Sequence, residues 1–399
     1  MAEITQSSLT DIYFSGYKNL FECHLALNQT TIIVGSNNSG KSNFLELFKL
    51  LSDLHFGGQD ARERIQQRIV LDETIDIKVA GTIQNQGGPL YDVAYKLSLK
   101  VGRGSEKSRL HIIAESFDYK QKSSPGVAKQ VFHRKENILW LRFPSNKFKR
   151  YDISAEVPAY AVIRASFEPE KTQAETLQRL ALYFDFLEYF KTTVFSAHKI
   201  NADYDKEIEK ALEFIAPLQE NKSPDFEKFS RAFTDILGFS RLQIFDVARD
   251  VKGLDIKSKI FLCFVFQEPE RPMYIGNLSD GSKILFLMLY NIFIKKSPLI
   301  CVEEPEIGLH PGALNKLLKI FLSGDGASQA LITTHSAYLL NLLDPKNVFL
   351  MEGTGSGKST LTPASKIKDL EARLKGKYVN FGDLFADNFK ASRNYKLRE

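Results

Sequence analysis

One stretch of eight residues, GSNNSGKS at positions 35–42, constrains this chain more than any other. It fits the spacing G-x-x-x-x-G-K-[ST], in which a glycine-rich turn links a strand to the start of a helix. Residues 30–34 are β-branched and apolar, which predicts a buried strand, and residues 43–54 place apolar side chains at helical spacing. We therefore predict a strand, a phosphate-binding turn and a helix, set in an α/β fold.

The residue types in this turn suit a nucleoside triphosphate. Gly35 and Gly40 allow the backbone to approach an anion closely, and the N-terminus of the helix favours negative charge. Lys41 is predicted to reach the β- and γ-phosphates, and the hydroxyl of Ser42 to ligate Mg²⁺. The other residues predicted to bind the phosphates are Asn37, Asn38, Ser39 and Asn43. The expected cofactors are therefore ATP and Mg²⁺.

A second glycine string, EGTGSGKST at residues 352–360, resembles the first but is one residue short. Only three residues separate Gly353 from Gly357, and the segment that follows contains Pro363 and no apolar periodicity, so no helix is predicted there. We interpret the string as a flexible turn after a strand at 347–351, and not as a nucleotide site.

Composition indicates a globular protein without a membrane segment. The hydrophobic fraction is 43% and the charged fraction 25%, both ordinary for a folded domain. No apolar run approaches the length of about 18 residues that spans a membrane, and the N-terminus lacks a secretion signal. Cys263 and Cys301 lie in apolar strand patterns, and no cysteine has disulfide or zinc spacing. We therefore expect a cytoplasmic protein with no membrane partner.

The net charge of +5 is too small to establish a nucleic-acid partner, although the basic residues are clustered. Solvated surface and contact with a phosphate backbone are both open interpretations. The clusters are Arg142, Lys147, Lys149 and Arg150; Lys366, Lys368, Arg373, Lys375 and Lys377; and Lys390, Arg393, Lys396 and Arg398.

The order of strand and helix patterns predicts three segments: 1–168, 169–240 and 241–399. The first contains short strands around Gly16 and an antiparallel sheet over 72–151. The second has helical patterns at 172–193, 203–216 and 225–237, with Pro217 and Pro224 as breaks and no heptad repeat for a coiled-coil arm. The third returns to strands over 241–278. It continues with helices at 282–295 and 312–322 and strands at 299–303, 329–333 and 347–351, an alternation that predicts a parallel sheet.

Three further motifs lie at element ends. An apolar strand at 299–302 is followed by Glu303 and Glu304, and in a parallel sheet such acids emerge beside the phosphate-binding turn, where one can hold Mg²⁺ and the next can activate water. Ser279 opens the helix at 282–295, as a helix cap or as a second phosphate-binding helix start. His335 follows another apolar strand, where it can hydrogen-bond a γ-phosphate.

In this order, the phosphate-binding turn, LSDGS, EEPEIGLHP and TTHS resemble the ATP-binding-cassette ATPases. More narrowly, they are similar to the soluble branch that includes RecF, the SMC proteins and the OLD-like ATPases. The resemblance implies an α/β ATPase head with a parallel core sheet, an inserted antiparallel sheet and a short helical insertion. The implied roles are Walker A for Lys41 and Ser42, Walker B for Glu303, catalytic base for Glu304, switch histidine for His335, and signature residues for Ser279 and Gly281, supplied to a second subunit.

The chain departs from that family pattern in three places. Glu303 stands where aspartate is usual, and its extra methylene can shift the Mg²⁺ geometry. Asp280 replaces a glycine and places an anion near the phosphates. No Q-loop glutamine is evident, and His198 and Lys199 occupy the region where it would be expected.

Three functions compete at this point. The first is an ATPase that dimerises around ATP, as a homodimer or larger homo-oligomer, and regulates a separate nuclease or toxin in anti-phage defence. The second is a RecF-like DNA-repair or DNA-clamp ATPase, for which DNA is the partner. The third, a transporter cassette, is disfavoured by the inserted sheet and the EEPEIGLHP string. Only 64 residues follow His335, too few for the Toprim nuclease domain of some OLD-like proteins, so a stand-alone ATPase subunit is expected.

The two glycine strings give a direct prediction. Lys41→Ala should remove most of the affinity for ATP, whereas Lys358→Ala should leave it unchanged, because only the first string has the full spacing. Nucleotide binding by both purified variants measures this. Equal losses in the two variants would show that the wrong turn has been chosen.

Overall fold

The structure is a computed structural model that describes residues 7–57, 64–66, 69, 73–84, 88–103, 108–142, 147–166, 174–192, 194–196, 204–247, 260–267, 271–324, 328–354, 357–366 and 382. These residues belong to two compact units. The first unit comprises Met1–Thr193 with Asp344–Tyr378, and the second comprises Val194–Leu343 with Val379–Glu399. The predicted division into three segments stays a prediction.

The elements confirm a mixed α/β fold. The strands are β1 Ser8–Ser15, β2 Cys23–Ala26, β3 Thr30–Gly35, β4 Thr74–Gln84, β5 Leu90–Arg103, β6 Ser108–Gln121, β7 Lys129–Lys135, β8 Ile138–Leu141, β9 Lys149–Asp152, β10 Val194–Ser196, β11 Arg241–Asp246, β12 Phe261–Gln267, β13 Arg271–Tyr274, β14 Leu299–Glu303, β15 Gln329–Thr334, β16 Val348–Gly353 and β17 Ser359–Pro363. The α-helices are α1 Lys41–Phe56, α2 Ala159–Ala165, α3 Ala174–Leu187, α4 Tyr204–Glu220, α5 Pro224–Leu237, α6 Asp280–Leu289, α7 Pro305–Gly308, α8 Pro311–Ser323 and α9 Ala337–Leu340. Among the described helices, none is long and apolar enough to cross a membrane.

The antiparallel sheet predicted for the first unit is present. Its eight strands follow the order β2-β1-β4-β5-β6-β7-β8-β9. Alternation along β4 buries Ile75, Ile77 and Val79 on one face, as the two-residue period of a strand requires. On the same sheet, Phe117 of β6 packs against Tyr183 of α3, with ring centroids 5.0 Å apart. Burial of aromatic rings between helix and sheet therefore holds this part of the unit together.

The phosphate-binding turn lies between β3 and α1 of the first unit. Every residue of β3 is buried, and β3 pairs in parallel with β16, which forms an antiparallel pair with β17. This confirms the strand, turn and helix predicted around residues 35–42. It also confirms that no α-helix begins at the second glycine string, because β17 begins at Ser359 instead, followed by a 3-10 helix over Ala364–Lys366.

The second unit also contains parallel strands. β14 pairs in parallel with both β10 and β15, and α7 and α8 lie between β14 and β15 in the chain. β11, β12 and β13 form a separate antiparallel sheet. Helix α5 packs on α6 through Phe229 and Phe233, whose ring centroids lie 5.0 Å and 5.4 Å from that of Phe286. The short helices predicted in this region are confirmed.

One predicted helix boundary is wrong, and several short elements were missed. Helix α4 does not break at Pro217 but continues to Glu220. The proline lies near the helix end, where it removes a single donor, and its carbonyl still accepts a bond of 3.1 Å from Asn221 N. Strand β9 and helices α2, α7 and α9 lacked a strong sequence pattern because each spans seven residues or fewer. Helix α6 continues as a π-helix over Tyr290–Ile294.

A buried polar network joins the last turn of α1 to the antiparallel sheet. His55 Nε2 lies 3.0 Å from the hydroxyl of Tyr95, which donates to Glu115 Oε1 at 3.0 Å. The other oxygen of Glu115 accepts from Ala159 N at 2.9 Å and lies 4.0 Å from Arg134 Nη1, and both charged side chains are fully buried. Burial raises the pKa of Glu115 and lowers the pKa of His55 from 6.5 to about 3. The imidazole is therefore neutral in the folded protein.

This burial predicts a specific pH dependence of stability. Between pH 6.5 and 3 the unfolded chain binds a proton at His55 that the folded chain does not. The contribution of His55 to the free energy of unfolding therefore falls as the pH is lowered, by up to about 1.4 kcal/mol per pH unit. His55→Gln keeps a donor for Tyr95 but cannot titrate. Urea unfolding at pH 7 and pH 5 should therefore show a smaller loss of stability in His55→Gln than in wild type. Equal losses would contradict the assignment.

Candidate functional site

The turn between β3 and α1 has the backbone geometry of an anion site. Gly40 has a φ of 106° and is the N-cap of α1, and Asn38 has a φ of 63°. Gly40 has no side chain with which to cap this helix, and the first turn of the helix contains no acidic residue. The first N–H groups of a helix have no partner within the helix, and the helix dipole adds positive potential there. The helix start therefore offers backbone donors to an anion, and no acidic side chain in its own first turn repels one.

Lys41 and the glycines fit a polyphosphate at the same turn. Lys41 Nζ donates to the carbonyl oxygens of Gly35 and Ser36, both at 3.0 Å, so the ammonium group lies folded over the turn. A Cβ at Gly35 would lie 2.3 Å from Met351 O and 2.6 Å from Ser39 Oγ, so only glycine fits there. Ser39 Oγ is buried and has no hydrogen-bond partner among the described residues. The residues present therefore fit phosphate oxygens.

Two residues that sequence reasoning missed contact this turn. The hydroxyl of Ser359, in the second glycine string, donates to Ser39 O at 2.5 Å. Asn19, in the loop between β1 and β2, donates to Ser359 Oγ at 2.7 Å and accepts from Asn43 Nδ2 at 2.7 Å. No pattern in the sequence marks Asn19. The one signal for Ser359 is the glycine string itself, for which the sequence predicts a flexible turn, whereas Ser359 begins β17.

The predicted acids and histidine come together in the second unit. Glu303 ends β14, and Glu304 follows with a φ of 46°, a left-handed conformation that is costly for a residue with a side chain. Its N–H donates to Thr333 O at 2.9 Å, which ties the loop to β15. The carboxylate Oε1 of Glu304 lies 3.0 Å from His335 Nε2. The strained backbone thus holds the carboxylate against the imidazole.

Glu306 supports the same histidine loop, a role that no sequence pattern indicates beyond its place in EEPEIGLHP. Its Oε1 accepts from His335 N at 2.8 Å and from Thr334 Oγ1 at 2.7 Å. Its Oε2 is buried without a hydrogen-bond partner among the described residues. Two acids of one loop therefore fix His335, Glu304 through the ring and Glu306 through the backbone.

The predicted signature residues open α6. Ser279 is its N-cap and accepts from Ser282 N at 3.3 Å, so the capping interpretation is confirmed. A Cβ at Gly281 would lie 1.7 Å from Gly308 O, in the EEPEIGLHP segment. Gly281 therefore has a packing reason to be glycine, independent of any contact with nucleotide. Whether these two residues also bind a phosphate stays a prediction.

The site residues divide between the two units. Residues 35–43 lie in the first unit, and the acids, the histidine and the signature residues lie in the second. His198 and Lys199 lie outside the described residues. Magnesium that is bound to a nucleotide needs only one or two protein oxygens besides phosphate and water. The hydroxyl of Ser42 and the carboxylate of Glu303 are oxygen ligands of the right kind.

Comparison with known proteins establishes the family. Residues 30–341 match the family described as "AAA domain, putative AbiEii toxin, Type IV TA system". The chain belongs to this family, and the P-loop ATPase resemblance inferred from the motifs is confirmed.

The individual proteins that match this chain share few identical residues with it. The Old nuclease of Escherichia phage P2 is 21% identical over 402 residues, which cover 91% of this chain and 62% of that protein. Among solved structures, the SMC head domain from Thermotoga maritima matches at 13% identity and a TM-score of 0.45, covering 89% of this chain and 98% of that one. The Smc head domain of Pyrococcus furiosus with an extended coiled coil, bound to the C-terminal domain of ScpA, matches at 13% identity and a TM-score of 0.47, covering 93% and 100%.

The contact at Gly281 predicts a stability effect. Gly281→Ala should lower the free energy of unfolding by about 1–3 kcal/mol or more, because the added Cβ overlaps a backbone oxygen that has little room to move. Gly353→Ala is the matched control, since a Cβ there meets nothing within 4 Å. Thermal unfolding of both variants tests this, and the prediction is wrong if Gly281→Ala is as stable as the control.

Proposed function

We propose that the chain is an ATPase that binds ATP and Mg²⁺ at residues 35–43 and uses Glu304 as the general base for hydrolysis. The observation that carries this proposal is the uncapped start of α1 beneath the folded ammonium group of Lys41. Membership of the AAA-domain family supports it. The residues proposed to contact phosphate and the proposed general base were all predicted from the sequence.

Binding exchanges contacts within the turn for contacts with phosphate. Lys41 gives up the carbonyls of Gly35 and Ser36 and places its ammonium group on phosphate oxygens, while the N–H groups of the turn donate to the same anion. The Ser42 hydroxyl and the Glu303 carboxylate are proposed to hold Mg²⁺. When bound, the metal neutralises charge on the β- and γ-phosphates.

For hydrolysis, Glu304 is proposed to accept a proton from the attacking water. A general base needs a fixed position within hydrogen-bond reach of that water. The left-handed backbone at Glu304 and the 3.0 Å contact with His335 supply such a fixed position, and Glu306 in turn holds the backbone of His335. We assign Glu304 the proton transfer, His335 the orientation of its carboxylate, and Glu306 the positioning of His335.

We further propose that ATP is enclosed between two copies of the chain. The start of α6 offers a second helix N-terminus, with Ser279 and Gly281, to the γ-phosphate bound by a partner copy. Asp280 is exposed in the first turn of this helix, so closure must bring a carboxylate near the phosphates. Hydrolysis removes the bridging phosphate and loosens the pair.

The proposed output is control of a separate effector in anti-phage defence. The family description names an AbiEii toxin and a toxin–antitoxin system, and the phage P2 relative is named as a nuclease. This chain spans 62% of that relative, so the nuclease activity belongs to the relative and only motivates the proposal. A nuclease or toxin is accordingly the proposed partner.

DNA remains the alternative partner, as in a RecF-like clamp. Of the basic clusters, the group from Arg142 to Arg150 lies among the described residues. Arg142 stacks 4.6 Å from the ring centroid of Phe148, and Arg150 pairs with Asp152 at 3.0 Å. Two of these basic side chains therefore already interact with neighbouring side chains. Lys368 and the basic residues after it lie outside the described residues.

The proposal predicts that Glu304→Gln binds ATP normally and hydrolyses it orders of magnitude more slowly. The amide keeps the shape of the side chain but cannot accept the proton from water. ATP binding and phosphate release should be measured together, with Glu213→Gln, an exposed carboxylate on α4, as the control. An ATPase rate in Glu304→Gln equal to that of the control would contradict the assignment of the base.

A mixing experiment with the same assay tests the shared site. Lys41→Ala and Ser279→Arg should each be inactive alone. In a mixed dimer one site combines the intact Walker A turn of one chain with the intact signature of the other, so up to about a quarter of wild-type activity should return. The shared-site proposal fails if Ser279→Arg alone hydrolyses ATP at the wild-type rate.

A further inference from the structure

The second glycine string of the sequence lies directly against the first. Ser359, the first residue of β17, is fully buried. Its N–H donates to Asn19 O at 2.6 Å, and its hydroxyl donates to Ser39 O, in the phosphate-binding turn, at 2.5 Å. Lys358, the neighbouring residue, instead stacks on the ring of Phe21, with Nζ 3.8 Å from the centroid. The serine of this string, and not its lysine, therefore contacts the turn.

Asn19 extends this contact into a chain of three hydrogen bonds. Asn43 Nδ2 donates to Asn19 Oδ1 at 2.7 Å, Asn19 Nδ2 donates to Ser359 Oγ at 2.7 Å, and Ser359 Oγ donates to Ser39 O. Asn19 and Ser359, in the middle of the chain, each accept one bond and donate one, so the three bonds run in a consistent direction from Asn43 to Ser39. The chain therefore runs from the first turn of α1 back to the residue before Gly40, and it spans Lys41 and Ser42.

The hydrogen bond from Ser359 is made to the carbonyl oxygen of the Ser39–Gly40 peptide. Gly40 tolerates many backbone conformations, so the Ser39–Gly40 peptide plane would otherwise be easy to rotate. A peptide is planar and trans, so fixing Ser39 O also fixes the direction of the Gly40 N–H on the opposite side. A Cβ built at Gly40 would lie 2.9 Å from Asn19 Nδ2 and 3.0 Å from Ser359 Oγ, which shows how closely both side chains pack on this residue.

We infer that Ser359 and Asn19 are positioning residues that hold the Walker A turn in its phosphate-binding conformation before the nucleotide arrives. This inference rests on the proposed ATP site. The second glycine string then has a function in nucleotide binding without binding nucleotide itself. Its resemblance to a P-loop is separate from this function, because the contact needs only the serine.

The test is a comparison of ATP binding and ATPase kinetics in Ser359→Ala and wild type. Without the hydroxyl, binding must first order the turn, so the Kd and KM for ATP should rise by roughly 5- to 30-fold, the effect expected from one or two lost hydrogen bonds. Once bound, the phosphates hold the turn themselves, so kcat at saturating ATP should stay within about twofold. A role in overall stability alone would reduce the active fraction, which lowers the apparent kcat and leaves KM unchanged.

Lys358→Ala is the matched control, because it lies next to Ser359 but makes none of these hydrogen bonds with the turn. Asn19→Ala, at a half-buried position, tests the same chain of bonds if Ser359→Ala does not fold. The double variant should bind ATP little worse than either single variant, since the two single variants and the double variant all break the same chain of hydrogen bonds.

Wild type that does not bind ATP would overturn the proposed function. Wild type that binds ATP, with unchanged Kd and KM in Ser359→Ala and Asn19→Ala, would overturn this inference alone.

Discussion

The start of helix α1 is the constraint on which the first unit depends. Its N–H groups lack a side-chain cap, and the residue before it must adopt a φ of 106°. A helix start without a side-chain cap leaves backbone N–H groups that an anion, water or the surrounding chain must satisfy. The turn follows β3 and is held by hydrogen bonds. Lys41 donates to the carbonyl oxygen of Gly35, and Ser359, itself bonded to Asn19, donates to that of Ser39. These contacts hold the turn in the conformation on which the proposed ATP site depends.

A second strained backbone position lies in the second unit. Glu304 adopts a left-handed φ of 46° at the end of β14, which costs of order 1–3 kcal/mol. The surrounding bonds maintain it: its N–H binds Thr333 O, and its carboxylate contacts His335. Glu306 then fixes the backbone of His335. The segment EEPEIGLHP, which contains the short helix α7, thus holds the Glu304 carboxylate against the His335 imidazole. That arrangement suits a reaction in which the protein positions water and leaves the bond-breaking to the phosphate chemistry.

The parts of the structure that could be predicted from the sequence are those that local sequence patterns determine. Strand β3, helix α1 and the inserted antiparallel sheet followed from apolar periodicity and motif spacing, and the resemblance of four ordered motifs to known ATPases indicated the family. The sequence did not predict Asn19 or Ser359, because their contacts with the turn join residues far apart in the chain, and a single sequence carries no signal for such pairs. The break at Pro217 was wrong because a proline near a helix end costs only one donor. Gly281 illustrates a further limit, since the motif predicts a role in binding, which stays a prediction, but does not predict its packing against Gly308.

The measurement that tests the central claim most directly is the ATPase rate per chain as a function of protein concentration, with the mass of the particle determined at each concentration. If ATP is hydrolysed at a site completed by a second copy, the rate per chain rises with concentration together with the dimer fraction and falls toward zero where only monomer is present. A rate per chain that stays constant down to concentrations at which all particles are monomers would contradict the account.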